Sequence, residues 1–173
     1  MTELTINLRA GWRDYYEMCK PRVVLLMVLT SVVGMVLAVP GMDPLDILVL
    51  GNLGIALVAG AGAVCNHLID RKIDLKMKRT QNRPLPQGRV GPIQTIAFAL
   101  VIGLAGMSIL LFWVNPLCAW LTLGSFVGYA FIYTGYLKHA TPQNIVIGGL
   151  AGAMPPLLGW LSLIHISEPT RPY

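Results

Sequence analysis

Between Arg22 and Asp43, from Ile47 to Ile69, from Val90 to Leu137 and from His139 to Ser167, this chain of 173 residues carries no Asp, Glu, Lys or Arg. Runs of that length are foreign to water-soluble domains, in which about a quarter of residues are charged. Here the charged share is 12% against 55% hydrophobic. A bilayer core about 30 Å thick takes about 20 helical residues to cross, so each run is long enough to span it. The longest, Val90 to Leu137, holds two helices, with Asn115-Pro116 read as a turn and little else. The expected fold class is all-α, a polytopic transmembrane helical bundle of about five spans. They run roughly Val23 to Val39, Ile47 to Ile69, Ile93 to Val114, Leu117 to Tyr136 and Asn144 to Ile164. A cleaved signal peptide would also explain a first span preceded by basic residues, with Val36-Leu37-Ala38 as a poor cleavage site. The preceding segment is too long and too mixed in charge for that reading.

The 13 basic residues are distributed unevenly. Arg9, Arg13, Lys20 and Arg22 precede the first span. Arg71, Lys72, Lys76, Lys78, Arg79, Arg83 and Arg89 crowd the loop after the second, and Lys138 follows the fourth. The loops around Asp43 and Asn115 have none. The positive-inside rule then makes residues 1–22 a cytoplasmic N-terminal segment, with the Asp70 to Arg89 loop on the same side. Lys20 and Arg22 are read as topology anchors in preference to phosphate contacts, and Trp12, Tyr15 and Tyr16 as interfacial residues. The net charge of +5 calls for no nucleic-acid partner, since no aromatic-interleaved basic module accompanies it. Cys19, Cys65 and Cys118 have no paired spacing that would indicate a disulfide or a zinc site.

Asn66, Asp70 and Asp74 recur every four residues where the second span meets the basic loop. On a helix each step turns about 40°, so the three side chains share roughly an 80° arc and spread about 12 Å along one face. Such a ladder of hard oxygen donors suits Mg²⁺, which takes one or two protein carboxylates while substrate phosphates complete its shell. A diphosphate also needs cationic donors on its outer oxygens. Arg79 and Arg83 offer planar bidentate ones, and Lys72, Lys76 and Lys78 offer point charges. Pro84, Pro86 and Gly88 end any helix and stiffen the return to the next span. Basic loops are ordinary on the cytoplasmic face, and Asp beside Arg can be no more than a solvated surface. The acid placement favours function: Asp70 and Asp74 are two of only eight acidic residues, and ionisable groups near membrane depth are usually functional. His67, about 100° round the helix from Asn66, is read as a packed or hydrogen-bonding core residue rather than a ligand.

These residues, followed by Arg79-Thr80, Arg83-Pro84-Leu85-Pro86 and Gly88, resemble the first Asp-rich motif of the UbiA-type intramembrane prenyltransferases. Tyr16, Cys19-Lys20-Pro21-Arg22, Tyr133-Thr134, Leu137-Lys138, Thr141 to Gly149 and Ala151 to Trp160 resemble the haem-farnesylating branch of that family. The likeness covers about residues 12–162. It implies a nine-helix fold, of which residues 23–162 would be the N-terminal part. It also implies a bacterial inner-membrane enzyme that transfers farnesyl from farnesyl diphosphate to a vinyl group of haem B, giving haem O with Mg²⁺ as cofactor. By the same resemblance Asn66, Asp70 and Asp74 would bind the metal, and Asn66, Arg79 and Arg83 the diphosphate. Asp70, Asp74 and Lys138 would be the catalytic set, with Lys138 stabilising the departing diphosphate. His67 and His139 are candidate haem contacts only. Glycines at positions 60, 62, 103, 106, 148, 149 and 152, with Ala63, are read as tight helix packing in preference to porphyrin contact.

Residues 163–173 do not resemble the family's continuation and read as an unrelated tail, and the second Asp-rich motif is missing. The chain is therefore expected to be an N-terminal piece, inactive alone. Alternatives are a quinone-precursor acceptor, a transporter, or a non-catalytic scaffold. A transporter would place charge near the midplane and show inverted repeats, and neither is found.

Overall fold

The computed structural model describes residues 10–38, 45–137 and 144–167, and every regular element among them is helical. The elements are α1 (Trp12–Met18), α2 (Pro21–Ala38), α3 (Leu45–Asp74), α4 (Pro92–Ile109), α5 (Pro116–Val127) and α6 (Asn144–Ser167). Helices α4 and α5 continue as π-helical segments, Leu110–Val114 and Gly128–Leu137. Four of these are long and apolar enough to cross a membrane: α2, α3, and α4 and α5 with their extensions. The fifth expected span coincides with α6. Most of the large apolar side chains that remain exposed, Leu25, Leu37, Leu104 and Phe112 among them, lie on these helices and suit contact with lipid.

Local chemistry sets the ends. Pro92 opens α4 at the position where a missing N–H costs nothing. Gly91 precedes it, and its N–H donates to Gln94 Oε1 at 3.0 Å. Asn115 is more than a turn residue: its Oδ1 accepts from Leu117 N at 2.7 Å, capping α5. Its Nδ2 reaches the Leu161 carbonyl at 3.4 Å, tying α5 to α6. Helix α3, with 30 residues, is about 45 Å long, some 15 Å more than the hydrocarbon core requires. Its surplus lies at the C-terminal end, where Arg71 and Lys72 complement the partial negative charge of the last turn. There the Thr80 hydroxyl donates to the Asp74 carbonyl at 3.0 Å.

Helix α3 is the hub. Within the spanning segments 56% of its residues are buried, against 17% for α2 and 22% for α4. It packs most extensively on α4, and α2 packs most extensively on α6. Glycine makes both approaches possible. A Cβ on Gly106 of α4 would lie 2.8 Å from the Gly54 carbonyl of α3. One on Gly34 of α2 would strike the Pro156 backbone of α6, and one on Gly159 would strike the Ser31 carbonyl. Tight packing therefore holds at Gly106, while added Cβ atoms at Gly149 and Gly152 would meet nothing within 4 Å. Pro155 and Pro156 lie inside α6 and lack the N–H groups that would bond the carbonyls of residues 151 and 152.

These contacts predict a contrast that thermal unfolding in detergent micelles, followed by circular dichroism, will measure. Gly34→Ala and Gly159→Ala should each cost about 1–3 kcal/mol, because backbone rather than a movable side chain blocks the new methyl. Gly149→Ala should stay within about 0.5 kcal/mol of the parent.

Candidate functional site

The surplus end of α3 brings Asn66, Asp70 and Asp74 into the protein, where they are 5%, 2% and 3% exposed. They are covered by the chain that follows. Residues 75–91 turn back over the helix end, burying Thr80, Leu85 and Val90, and Gly88 makes the reversal at φ 69°. Helix α1 closes the same end. Asp14 accepts from Gly11 N at 3.0 Å and forms an ion pair with Arg89 at 2.6 Å, which joins the N-terminal segment to the loop. The basic segments expected to share one side of the membrane thus lie at one end of the bundle.

Among the described residues, Arg83 and Lys20 are cations that reach the ladder. Arg83 Nη1 donates to Asp74 Oδ2 at 2.7 Å, with side chains 25% and 5% exposed. Breaking such a pair strands a buried carboxylate and costs about 3–5 kcal/mol. The Arg89–Asp14 pair, 44% exposed on its arginine side, is worth about 1 kcal/mol or less. The second cation is Lys20, whose Nζ donates to Asn66 Oδ1 at 2.8 Å. Asn66 Nδ2 in turn donates to Thr134 Oγ1 at 3.1 Å, and the Thr134 hydroxyl donates to the Tyr129 carbonyl at 2.9 Å. That last bond spans five residues, matching the π-helical register of the segment.

His67 is 2% exposed, as expected for a core residue, yet neither ring nitrogen finds a hydrogen-bond partner among the described residues. It lies within electrostatic range of Lys20, Arg83 and Asp74. Arg79 is exposed and makes no ion pair among the described residues, and Lys72, Lys76 and Lys78 are exposed as well. The fold therefore brings Asn66, Asp70, Asp74 and Arg83 together and leaves Arg79 outside. Lys138 and His139 lie outside the described residues. Lys20 and Thr134 were read from the sequence as an anchor and as part of a motif. The signal for them was indirect: a buried amide at Asn66 needs partners, but nothing in the spacing says which distant residues supply them.

Beneath the ladder lies a cavity of about 240 Å³, overwhelmingly apolar in its lining, with Lys20 as the one charged wall residue among the described residues. Along α3 it follows Ile55, Val58, Ala59, Gly62 and Ala63, and Phe126, Tyr129 and Met154 close it from α5 and α6. Ile55 to Ala63 is about 12 Å of helix, so the cavity runs inward from the polar end for a good part of the core. Small residues at Gly62 and Ala63 make room here rather than bringing helices into contact. The arrangement joins anion-compatible cations and two carboxylates to a greasy chamber.

The donor set fits a hard divalent cation. Among the described residues no group of three or more His, Cys, Asp or Glu side chains converges. Two carboxylates and an amide match a metal completed by phosphate oxygens.

Residues 27–169 match the model of the UbiA prenyltransferase family. A protoheme IX farnesyltransferase of Saccharophagus degradans is 70% identical over 154 residues, 89% of this chain and 51% of that protein. One of Hahella chejuensis is 60% identical over 160 residues, 92% of this chain and 54% of that protein. The chain thus spans about half the length of the curated relatives it matches. A UbiA homolog from Archaeoglobus fulgidus bound to DMAPP and Mg²⁺ has the same helical arrangement, with a TM-score of 0.71 at 18% identity over 92% of this chain and 56% of that one. The same fold is seen in a UbiA homolog from that organism bound to GPP and Mg²⁺, with a TM-score of 0.66. By the extent of the family match and the agreement in fold, this chain belongs to the UbiA prenyltransferase family.

Proposed function

We propose that these residues form the N-terminal part of a Mg²⁺-dependent intramembrane farnesyltransferase that moves farnesyl from farnesyl diphosphate to a vinyl group of haem B, yielding haem O. The observation that carries the reading is the burial of Asp70 and Asp74 beside Asn66 at the mouth of an apolar cavity, under a basic loop. The names of the relatives supply the acceptor. Residues 23–162 belong to the membrane domain and residues 1–22 to a cytoplasmic segment. The membrane is the bacterial inner membrane, and the tail read at residues 163–173 begins inside α6, which runs on to Ser167.

Asn66, Asp70 and Asp74 would hold Mg²⁺, which when bound supplies charge neutralisation on the diphosphate. Arg83 is already oriented by Asp74 and has donors to spare for phosphate oxygens. Arg79 would join only if the loop turned it inward, and Lys138 would act at the cytoplasmic end of α5. As the allylic carbon–oxygen bond breaks, its electron pair leaves on the diphosphate, and these fixed cations stabilise the charge that develops there. The farnesyl chain lies along Ile55, Val58 and Phe126, where a mostly apolar lining keeps water from the allylic cation. The vinyl π electrons attack the allylic carbon. Water then adds to the resulting cation and loses a proton, completing a hydroxyethylfarnesyl group.

Because the relatives are about twice as long, the test is a chimera in which this chain replaces the matching segment of the Saccharophagus degradans protein. In detergent with farnesyl diphosphate and haem B it should form haem O, measured by chromatography. Asp70→Asn and Asp74→Asn should each lower turnover by about 100-fold or more, the scale on which loss of one electrostatic stabiliser is felt, without loss of membrane insertion. Unchanged turnover rules out the assignment. Chelation of divalent metal should stop the reaction and added Mg²⁺ should restore it; activity that survives chelation removes the metal from the scheme.

A further inference from the structure

Lys20 has φ 51°, the only non-glycine residue in the left-handed region among the described residues. For a lysine this is an unfavourable backbone state, and it persists only when the surroundings over-determine it. Its main chain joins α1 to α2: Lys20 N–H donates to the Glu17 carbonyl at 3.1 Å, and its carbonyl accepts from Val24 N at 3.1 Å. Its side chain meanwhile crosses to α3 and ends on Asn66 Oδ1. The orientation of that amide follows from its neighbours. The Thr134 hydroxyl spends its one proton on the Tyr129 carbonyl, so toward Asn66 it can only accept. Asn66 must therefore present its nitrogen to Thr134 and its oxygen to the ammonium.

Resting on the metal and diphosphate reading above, we propose that Lys20 is a stand-in cation that holds the Asn66 oxygen in the ligand-free state and gives it up when metal and diphosphate bind together. An amide oxygen has two lone pairs, so geometry alone would admit both partners. Charge does not: an ammonium and a dication on one oxygen repel twice as strongly as two unit charges, in surroundings that screen poorly. Lys20 must leave for Asn66 to serve as a metal ligand. Its flexible stem allows this without backbone movement. Where it can go matters, because Lys20 also borders the apolar cavity. Released without an anion, the ammonium loses its Asn66 acceptor beside a mostly apolar cavity; released beside a diphosphate, it gains charged acceptors. Metal and diphosphate therefore help each other to bind through Lys20, a positioning residue that acts on the metal by way of Asn66. By linkage the effect is equal in both directions.

The test uses the chimera with the Saccharophagus degradans protein in detergent, Mn²⁺ as a paramagnetic substitute for Mg²⁺, and inorganic diphosphate as the anion. Metal uptake is read from the free-ion electron paramagnetic resonance signal. Lys20→Met should bind Mn²⁺ alone about 5-fold tighter than the parent, and diphosphate should improve its affinity by a factor about 5-fold smaller than in the parent. Association of Mn²⁺ with diphosphate in solution is common to all variants and drops out of that ratio. Lys20→Gly, which accepts φ 51° without strain, should match Lys20→Met and guards against misfolding. Lys20→Arg keeps the charge and should follow the parent. If Asp70→Asn abolishes uptake but the neutral Lys20 variants bind no tighter than the parent, or keep its full response to diphosphate, the exchange is overturned and the metal reading stands. Uptake indifferent to Asp70→Asn, or no saturable uptake with or without diphosphate, overturns the metal reading and the exchange with it.

Discussion

A carboxylate withdrawn from water loses hydration worth several kcal/mol unless cations or donors replace it, and α3 withdraws two of them within its last five residues. Asp70 and Asp74 are as buried as the apolar core, although they terminate a helix that enters from hydrocarbon. Much of the surrounding architecture answers that cost. The loop folds back to deliver Arg83 to Asp74, Thr80 caps the helix end, and α1 is fastened over the same end by Asp14 and Arg89. The loop's density of charge thus has a structural reason beside its role in topology. Only part of it faces inward, since Arg79 and the three lysines stay exposed.

The polar end acquires a use from what lies below it. Glycines at positions 34, 54, 106 and 159 let α2 meet α6 and α3 meet α4 at backbone contact, which holds α3 in the middle of the bundle. Between α3 and the α5 and α6 walls the helices stand further apart, and the cavity occupies that gap. At about 240 Å³ it is slightly smaller than the roughly 300–1,000 Å³ usual for ligand pockets, and its apolar lining suits a hydrocarbon chain better than a porphyrin. The π-helical segment Gly128–Leu137 serves both halves of the site. Tyr129 lines the cavity, while Thr134 fixes the amide at its mouth. Irregular helix where a ligand is read is a recurrent device.

The succession of spans was legible in the sequence because membrane crossing depends on length and polarity, both local properties. The expected boundaries fall within a few residues of α2 to α6. The ladder was legible for a related reason: a four-residue period places side chains on one face whatever surrounds the helix. Asn115 shows the limit. Its spacing announced a turn, but its bond to the Leu161 carbonyl depends on two helices meeting. Glycine-rich stretches show it again: Gly106 packs tightly and Gly152 does not, and only the neighbour across the interface distinguishes them.

By itself, then, the sequence determined an all-helical membrane chain with an oxygen ladder at the end of its second span, because periodicity and hydropathy act within a single segment. Tertiary structure alone decided which cations meet that ladder. It chose Arg83 over Arg79, and it drew in Lys20 and Thr134 from 46 and 68 residues away. The physical reason is that a buried polar group takes whichever partner the packed helices bring within hydrogen-bonding distance, and separation along the chain carries no record of that distance.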